Sequence, residues 1–236
     1  MKYIFDVDGT LTPSRSKIDP KFAEWFLDFQ KEFDVYLVTG SDRDKTIEQL
    51  GDVIYDNAKA VFNCSGNDVW SCGANVYRSE WKASKALEDM MYGWLQASPF
   101  LLRTGNHIEE RPGCVNFSII GRNCSKDERL KYIEHDLNNR ERETIAFQIN
   151  SEFPELMATV GGETGIDIYP TGKDKSQILS SFPDHDTLHF FGDKMEPGGN
   201  DYPLGSKLKY PSRATQVRDW KHTWELLEID WLKSYE

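Results

Sequence analysis

The stretch DVDGTLT, residues 6–12, directly follows YIF at residues 3–5, a short apolar run rich in β-forming residues. Such a run is typical of a strand buried in a parallel sheet. In open α/β sheets, binding sites lie beyond the carboxyl ends of the strands. The sequence therefore predicts an α/β fold with a candidate site that begins at Asp6 and Asp8.

Asp6 and Asp8 suit the chemistry of phosphoryl transfer. A carboxylate such as Asp6 can attack phosphorus as a nucleophile, and Asp8 can exchange a proton with the leaving or attacking oxygen. Gly9 would let the backbone turn sharply away from the strand. An ordinary Asx-rich turn would carry the same letters, but the pattern D-x-D-G-T-L resembles the first motif of the haloacid dehalogenase superfamily.

This interpretation requires three further groups in a fixed order, and each is present. A hydroxyl group follows the second predicted strand, where Ser41 is the preferred phosphate contact and Thr39 the alternative. Lys175 precedes the last strands and would offset the negative charge of a phosphoryl group. Asp193 follows a late strand. Together with Asp6 and the backbone carbonyl of Asp8, Asp193 offers the hard oxygen ligands that Mg²⁺ prefers, so Mg²⁺ is the predicted cofactor.

The pattern of predicted elements changes twice along the chain. Strands and helices alternate at first, as expected for a parallel sheet. In the middle of the chain the strands look antiparallel, and one helix opens with a capping box of Ser125 and Glu128. The α/β pattern then returns. We expect a Rossmann-like catalytic core at residues 1–78 and 174–236, interrupted by a substrate-binding α+β cap at 79–173.

The formal net charge of −11 argues against a nucleic-acid partner. An anionic substrate would then need a local basic pocket. Three arginines of the predicted cap, Arg111, Arg122 and Arg129, could form one. Guanidinium groups bind phosphate oxygens through paired hydrogen bonds, and Arg129 also lies near a helix N-terminus, which favours anions.

Other patterns narrow the class of protein further. The four cysteines do not form C-x₂-C pairs, so neither zinc nor a disulfide framework is expected. The sequence has no apolar run of about 18 residues, and so no membrane partner is expected. Its first residues lack the pattern of a signal peptide. A cytoplasmic location is therefore expected.

The sequence is similar to the eukaryotic phosphomannomutases over nearly its whole length. The similarity rests on five stretches, residues 6–18, 40–51, 109–129, 161–175 and 190–201. The stretches of the predicted cap are the more specific, because many phosphatases share the superfamily motifs. The resemblance implies a Rossmann-like haloacid dehalogenase core with an α+β cap inserted after the third strand.

The resemblance also implies the roles of individual residues. Asp6 would accept the phosphoryl group, Asp8 would donate and accept the proton, and Asp193 would complete the Mg²⁺ site. The implied substrate-binding residues are Arg15, Arg111, Arg122, Arg129, Gly165 and Asp167.

Members of this family interconvert hexose 6-phosphate and hexose 1-phosphate through a hexose bisphosphate and an aspartyl-phosphate, and they usually form homodimers through the cap. The resemblance thus implies mannose phosphates, a step toward GDP-mannose, and leaves glucose phosphates open. A Mg²⁺-dependent sugar-phosphate phosphatase of the same superfamily is the alternative, since it needs only the reacting phosphate and a path for water. A catalytically inactive binding module is a third hypothesis, and the presence of both Asp6 and Asp8 argues against it.

The sequence departs from the family at three places. Gly165 stands where the family has a serine, and Lys173 stands where a tryptophan is common. Residues 202–213 do not match the loop that holds a monovalent cation in the family. These differences bear on sugar specificity and on the cation site, and they leave the predicted phosphoryl-transfer residues unchanged.

Overall fold

The computed structural model describes residues 1–233 of the chain. The chain forms two compact units: Met1–Ser79 together with Gly172–Glu236, and Glu80–Thr171. The second unit is thus an insertion in the sequence of the first. Within the described residues, no helix has the length and apolar character needed to cross a membrane.

The first unit is built on one seven-stranded sheet in the order β11-β10-β1-β2-β3-β4-β5. The pairs from β11 to β3 are parallel, and β4 and β5 add an antiparallel hairpin. The central strand β1 lies between β2 and β10, so the strand order reverses there. The strands are β1 (Lys2–Phe5), β2 (Asp34–Val38), β3 (Ala60–Asn63), β4 (Asp68–Ser71), β5 (Ala74–Arg78), β10 (Leu188–Gly192) and β11 (Arg213–Gln216).

Helices and short turns cover both faces of this sheet. The α1 rings of Phe22, Phe26 and Phe29 are fully buried on the face that carries Phe5, while Ile4 belongs to a second cluster. This is the doubly wound arrangement that the alternating pattern predicts. The helices are α1 (Pro20–Glu32), α2 (Arg43–Leu50), α3 (Asp52–Asn57), α7 (Tyr202–Lys207) and α8 (Trp220–Lys233), with 3₁₀ turns at Cys64–Gly66 and Lys175–Ser181.

The second unit packs three helices on one face of a four-stranded antiparallel sheet of order β6-β7-β9-β8. Opposed residues Val115, Ile168 and Ala158 share a core with Ile145 and Ile149. Side chains alternate between the two faces of a sheet. The row on the face away from this core is polar and consists of Glu109, Asn116, Asp167 and Thr159. The elements are α4 (Lys85–Ala97), β6 (Ile108–Arg111), β7 (Cys114–Phe117), α5 (Lys126–Asn139), α6 (Glu141–Glu152), β8 (Leu156–Gly161) and β9 (Gly165–Pro170).

The sequence predicts both the start of α5 and the start of the inserted unit. The capping box of α5 is present: Ser125 and Glu128 exchange hydrogen bonds between side chain and backbone. The resemblance implies an insertion after the third strand, and in the structure the hairpin β4–β5 follows β3 before the second unit begins. The hairpin extends the sheet beyond its parallel part before the chain enters the insertion.

Candidate active site

Asp6 lies at the carboxyl end of β1, at the point where the strand order reverses. Its backbone N–H donates to the carbonyl of Phe191 at 2.9 Å, which continues the pairing with β10, and its side chain is buried. Beyond Val7 the chain turns tightly, with Gly9 at a φ of 84°. In doubly wound sheets this is the position of the ligand site.

Lys175 lies between two buried carboxylates of the first unit. Its ammonium Nζ donates to Oδ1 of Asp6 at 2.5 Å and to Oδ1 of Asp201 at 2.7 Å. Burial alone would lower the pKa of Lys175, but the carboxylates of Asp201 and Asp6 outweigh that effect and raise it above its ordinary value. Lys175 is therefore a fixed positive charge beside Asp6.

Asp193 brings a third carboxylate to the same place. Oxygen atoms of Asp6, Asp193 and Asp201 all lie within 4.8 Å of one another. Burial raises the pKa of Asp6 to about 8, although the nearby Lys175 ammonium lowers it. Burial, with the charge of Asp201, raises the pKa of Asp193 to about 6. Three acids beside one lysine favour the binding of a further cation.

Two glycines make room for these acids. A Cβ atom on Gly9 would lie 2.4 Å from Oδ2 of Asp193, and a Cβ atom on Gly192 would lie 2.7 Å from the carboxyl carbon of Asp201. Any larger residue at either position would push a carboxylate away, because real Cβ atoms do not approach so closely. The close grouping of the three acids thus depends on Gly9 and Gly192.

The donor set fits Mg²⁺, and Asp6 and Asp193 are the better ligands. Both oxygens of Asp201 accept hydrogen bonds, Oδ1 from Lys175 and Oδ2 from the backbone N–H of Lys194 at 3.1 Å. Carboxylate oxygens are the ligands that Mg²⁺ prefers. The predicted set of Asp6, Asp193 and the carbonyl of Asp8 stays a prediction, and Asp201, which follows Asp193 in the same acidic stretch, is not among the predicted ligands.

The Asp8 carboxylate faces a different set of partners. Its Oδ1 accepts the backbone N–H of Arg15 at 2.6 Å and the side-chain amide of Gln49 at 2.9 Å. Gln49 is almost fully buried. The side chain of Arg15 is exposed, and its predicted contact with substrate stays a prediction. Gln49 was not identified from the sequence.

Thr39 and Ser41 follow β2, as predicted, and both are buried. The Thr39 hydroxyl oxygen accepts the backbone N–H of Ser41 at 3.0 Å, so it is already engaged within the turn. A hydroxyl that accepts one hydrogen bond can still donate its own proton. The choice of Ser41 over Thr39 as the phosphate contact therefore stays a prediction.

Asp167 and Gly165, two of the predicted substrate-binding residues, lie on the face of the second unit's sheet that carries the polar row. Asn116 of β7 and Asp167 of β9 are paired, and the Asn116 amide donates to Oδ1 of Asp167 at 2.7 Å. Gly165 lies beside them, where a Cβ atom would be 2.6 Å from Nδ2 of Asn116. The missing side chain of Gly165 thus leaves space that the Asn116 amide partly occupies.

Two of the three predicted arginines share one carboxylate. Oε2 of Glu109 lies 2.9 Å from Arg111 and 3.0 Å from Arg122. Arg129 pairs instead with Glu163 at 3.1 Å. The structure therefore brings Arg111 and Arg122 together and gives Arg129 a separate carboxylate partner.

Comparison with known proteins identifies the family. Residues 22–219 match the family described as eukaryotic phosphomannomutase. A Caenorhabditis elegans protein named probable phosphomannomutase is 35% identical over 215 residues, which cover 85% of this chain and 84% of that protein. The chain belongs to the eukaryotic phosphomannomutase family. Human phosphomannomutase 1 is 34% identical over 213 residues, covering 85% of this chain and 81% of the human protein.

Solved structures that are similar to this member of the phosphomannomutase family share its fold at low sequence identity. A haloacid dehalogenase-like hydrolase from Bacteroides thetaiotaomicron has a TM-score of 0.63 at 12% identity, covering 96% of this chain and 97% of that one. A trehalose-6-phosphate phosphatase related protein has a TM-score of 0.56 at 17% identity, covering 99% of both chains. These likenesses confirm the predicted Rossmann-like haloacid dehalogenase core.

Proposed function

We propose that the protein is a phosphomannomutase, which interconverts mannose 6-phosphate and mannose 1-phosphate through a hexose bisphosphate and an aspartyl-phosphate on Asp6. One observation carries this proposal in a chain of this family. Asp6 is buried at the end of the central strand, 2.5 Å from Lys175 and grouped with Asp193. A carboxylate in such a setting can accept a phosphoryl group, because the adjacent positive charge offsets the charge of the incoming phosphate.

In the first half-reaction, the Asp6 carboxylate attacks one phosphorus of a bound hexose bisphosphate, and the sugar leaves as a hexose monophosphate. The bond between phosphorus and the sugar oxygen breaks, and Asp8 donates its proton to that oxygen. Lys175 stays protonated and balances the charge on Asp6 throughout. Mg²⁺, when bound by Asp6 and Asp193, would neutralise negative charge on the transferring group.

In the second half-reaction the roles are reversed. The free hydroxyl of a bound hexose monophosphate attacks phospho-Asp6 and gives its proton to Asp8. We assign sugar-phosphate binding to Arg15, Arg111, Arg122, Arg129, Gly165 and Asp167, with Ser41 as the hydroxyl contact. The close pairing of Arg111 and Arg122 supports the binding of one phosphate group by both arginines.

A coupled assay tests this function. The protein is incubated with Mg²⁺, mannose 1-phosphate and a catalytic amount of hexose bisphosphate. We expect mannose 6-phosphate as the product. Release of inorganic phosphate in its place would assign the protein to the sugar-phosphate phosphatases and contradict the proposal.

The nucleophile is tested with Asp6→Asn, which should abolish turnover and leave the fold intact. Asp28→Asn is the matched control, because Asp28 is exposed and pairs with Lys31 on the surface of α1. Retained activity in Asp6→Asn would show that another group accepts the phosphate. Brief exposure of the wild-type protein to hexose bisphosphate should add one phosphoryl group, detectable by mass spectrometry.

We also propose that the protein forms a homodimer through the second unit and acts in the cytoplasm. Leu130 and Leu137 of α5 are 62% and 77% exposed, and they share a helix face because they are seven residues apart. Leu137→Glu should produce a monomer in sedimentation velocity, whereas Leu101→Glu, at an exposed position before β6, should not. A wild-type monomer would contradict the dimer. The cytoplasmic location stays a prediction.

A further inference from the structure

Gln49 is a buried side chain in the last turn of α2. Only 4% of Gln49 is exposed, and its amide Nε2 donates to Oδ1 of Asp8 at 2.9 Å. The backbone N–H of Arg15 donates to the same oxygen at 2.6 Å. Two donors therefore converge on one of the two oxygens of Asp8.

The position of Gln49 is fixed by its surroundings. Its helix is capped by Asp42, whose side chain accepts the N–H of Lys45 at 2.9 Å. The carbonyl of Gln49 accepts the N–H of Ile18 at 2.8 Å, which ties the end of the helix to the chain beyond the Asp8 turn. Gln49 thus contacts Asp8 from an element that is anchored at both ends.

The orientation of the Gln49 amide is also determined. Besides Asp8, Nε2 faces the Thr12 hydroxyl oxygen at 3.4 Å and the Ser16 carbonyl at 3.5 Å. A flipped amide would place Oε1 against a carboxylate and a carbonyl, which are both acceptors. Oε1 is buried and has no hydrogen-bond partner within residues 1–233. Leaving the Oε1 acceptor buried without a hydrogen bond costs free energy. The side chain nevertheless keeps the orientation in which Nε2 donates to Asp8.

Two N–H donors on Oδ1 decide where Asp8 can carry a proton. A proton on Oδ1 would point at donors that cannot accept it. A proton on Oδ2 leaves both bonds intact, since the carbonyl oxygen of a protonated carboxyl still accepts. The same geometry therefore serves both the protonated and the ionised form of Asp8.

We propose that Gln49 is a positioning residue that, with the backbone N–H of Arg15, confines the transferable proton of Asp8 to Oδ2. This rests on the proposed function, in which Asp8 exchanges a proton with the sugar oxygen. When the bond between phosphorus and the sugar oxygen breaks, the proton on Oδ2 moves to that oxygen and leaves the Asp8 carboxylate. In the reverse direction the sugar hydroxyl returns its proton to Oδ2 as its oxygen attacks phospho-Asp6.

The test uses two phosphoryl donors that differ in their need for an acid. A sugar oxygen must be protonated as it leaves, whereas the acetate of acetyl phosphate leaves without a proton. In Gln49→Met, which keeps the side-chain length and removes the amide, phosphorylation of Asp6 by hexose bisphosphate should slow about tenfold to a hundredfold, which is part of the roughly 10²- to 10⁴-fold contribution of general acid catalysis. Phosphorylation by acetyl phosphate should change less than about twofold, which also shows that the variant is folded.

Gln30→Met is the matched control. Gln30 is also buried in the first unit, but its amide donates to the carbonyl of Ile54 at 3.0 Å, away from Asp8. Both donors should phosphorylate this variant at the wild-type rate. Equal slowing with both donors in Gln49→Met would reduce Gln49 to a packing role, and no slowing with either would also overturn the inference.

A second variant keeps the inference testable if Gln49→Met does not fold. Gln49→Asn withdraws the amide from Asp8 by one methylene and should show the same selective loss with hexose bisphosphate. In addition, Gln49→Met should cause no further loss in an Asp8→Asn background, since the two residues act as one unit. If wild-type Asp6 is not phosphorylated by hexose bisphosphate, the proposed function fails; if it is, and the loss in the Gln49 variants is not selective, only this inference fails.

Discussion

Asp193 occupies the space that a side chain at Gly9 would fill, with Oδ2 only 2.4 Å from the position of a Cβ atom on Gly9. These residues come from opposite ends of the chain, one from the turn after β1 and one from the end of β10. The lack of a side chain at residue 9 therefore has a role beyond the turn itself. It sets how closely Asp193 can approach Asp6.

Gly9→Ala should weaken Mg²⁺ binding more than it alters the fold. The added methyl group displaces Asp193, and the φ of 84° adds roughly 1–2 kcal/mol of backbone strain for a non-glycine residue. We expect the Mg²⁺ concentration for half-maximal activity to rise at least about tenfold. Gly93→Ala is the control, because a Cβ there would meet no atom within 4 Å among the described residues beyond its own helix turn and chain neighbours. An unchanged Mg²⁺ dependence in Gly9→Ala would remove Asp193 from the metal site.

Lys175→Met should destabilise the protein strongly. It leaves the buried carboxylates of Asp6 and Asp201 without their shared ammonium, and breaking a buried ion pair costs about 3–5 kcal/mol. Urea unfolding without Mg²⁺ should show this loss, and saturating Mg²⁺ should restore part of it by binding the native acids. Lys31→Met is the control, because Lys31 pairs with Asp28 in solvent. Equal stability of the two variants would contradict the pairing.

Arg122→Ala should weaken the binding of hexose phosphates. Hydrogen bonds to charged groups contribute about 1.5–3 kcal/mol, so KM should rise roughly tenfold to a hundredfold while the phosphorylation of Asp6 by acetyl phosphate is unchanged. Arg218→Ala removes an exposed arginine with a distant partner, Glu225 at 3.9 Å, and should leave KM unchanged. Wild-type KM in Arg122→Ala would exclude Arg122 from the substrate site.

Because of His189, the free energy of unfolding should decrease in mild acid. Burial, together with the positive charge of Arg213, lowers its pKa to about 3 from the ordinary 6.5, despite Asp230 at 3.7 Å. Between these values the unfolded chain binds a proton that the native ring excludes, so stability falls as pH falls. From pH 7 to 5.5 this residue should account for a loss of about 1 kcal/mol.

His189→Gln should flatten that part of the pH profile of unfolding free energy, since glutamine does not titrate and can still bond Thr215, the present partner of the ring at 2.8 Å. His185→Gln, at an exposed position, should retain the wild-type slope. Parallel profiles for His189→Gln and the wild-type protein would show that the ring takes up a proton equally in the native and unfolded states, which contradicts the lowered pKa.

The sequence predicted the order of the elements around the site because each one ends in a distinctive residue. Tyr3 to Phe5 is an unbroken apolar run that stops at Asp6, and the late strand stops in the same way before Asp193. Parallel strands bring such ends together. The structure places Asp6, Lys175 and Asp193 side by side, and their catalytic roles stay predictions.

Other features leave a weak trace in the sequence. Asp201 ends the family-like stretch at 190–201, but its contact with Lys175 depends on the fold of the chain after β10. Gln49 lies 41 positions from Asp8, and its only signal is its place in the family-like stretch at 40–51. The edge strand β11, Arg213–Gln216, has no apolar run, because an edge strand packs less of its surface than β1.

The order of strands in the large sheet also bears on the sequence of events at the ribosome. Strand β1 is made first, yet one of its two neighbours, β10, is made only after the whole of Glu80–Thr171. The inserted unit is continuous and has its own core, so it can form as soon as Thr171 emerges. The central sheet therefore stays incomplete while the inserted unit folds. Asp6 acquires its neighbours Lys175 and Asp193 only near the end of translation.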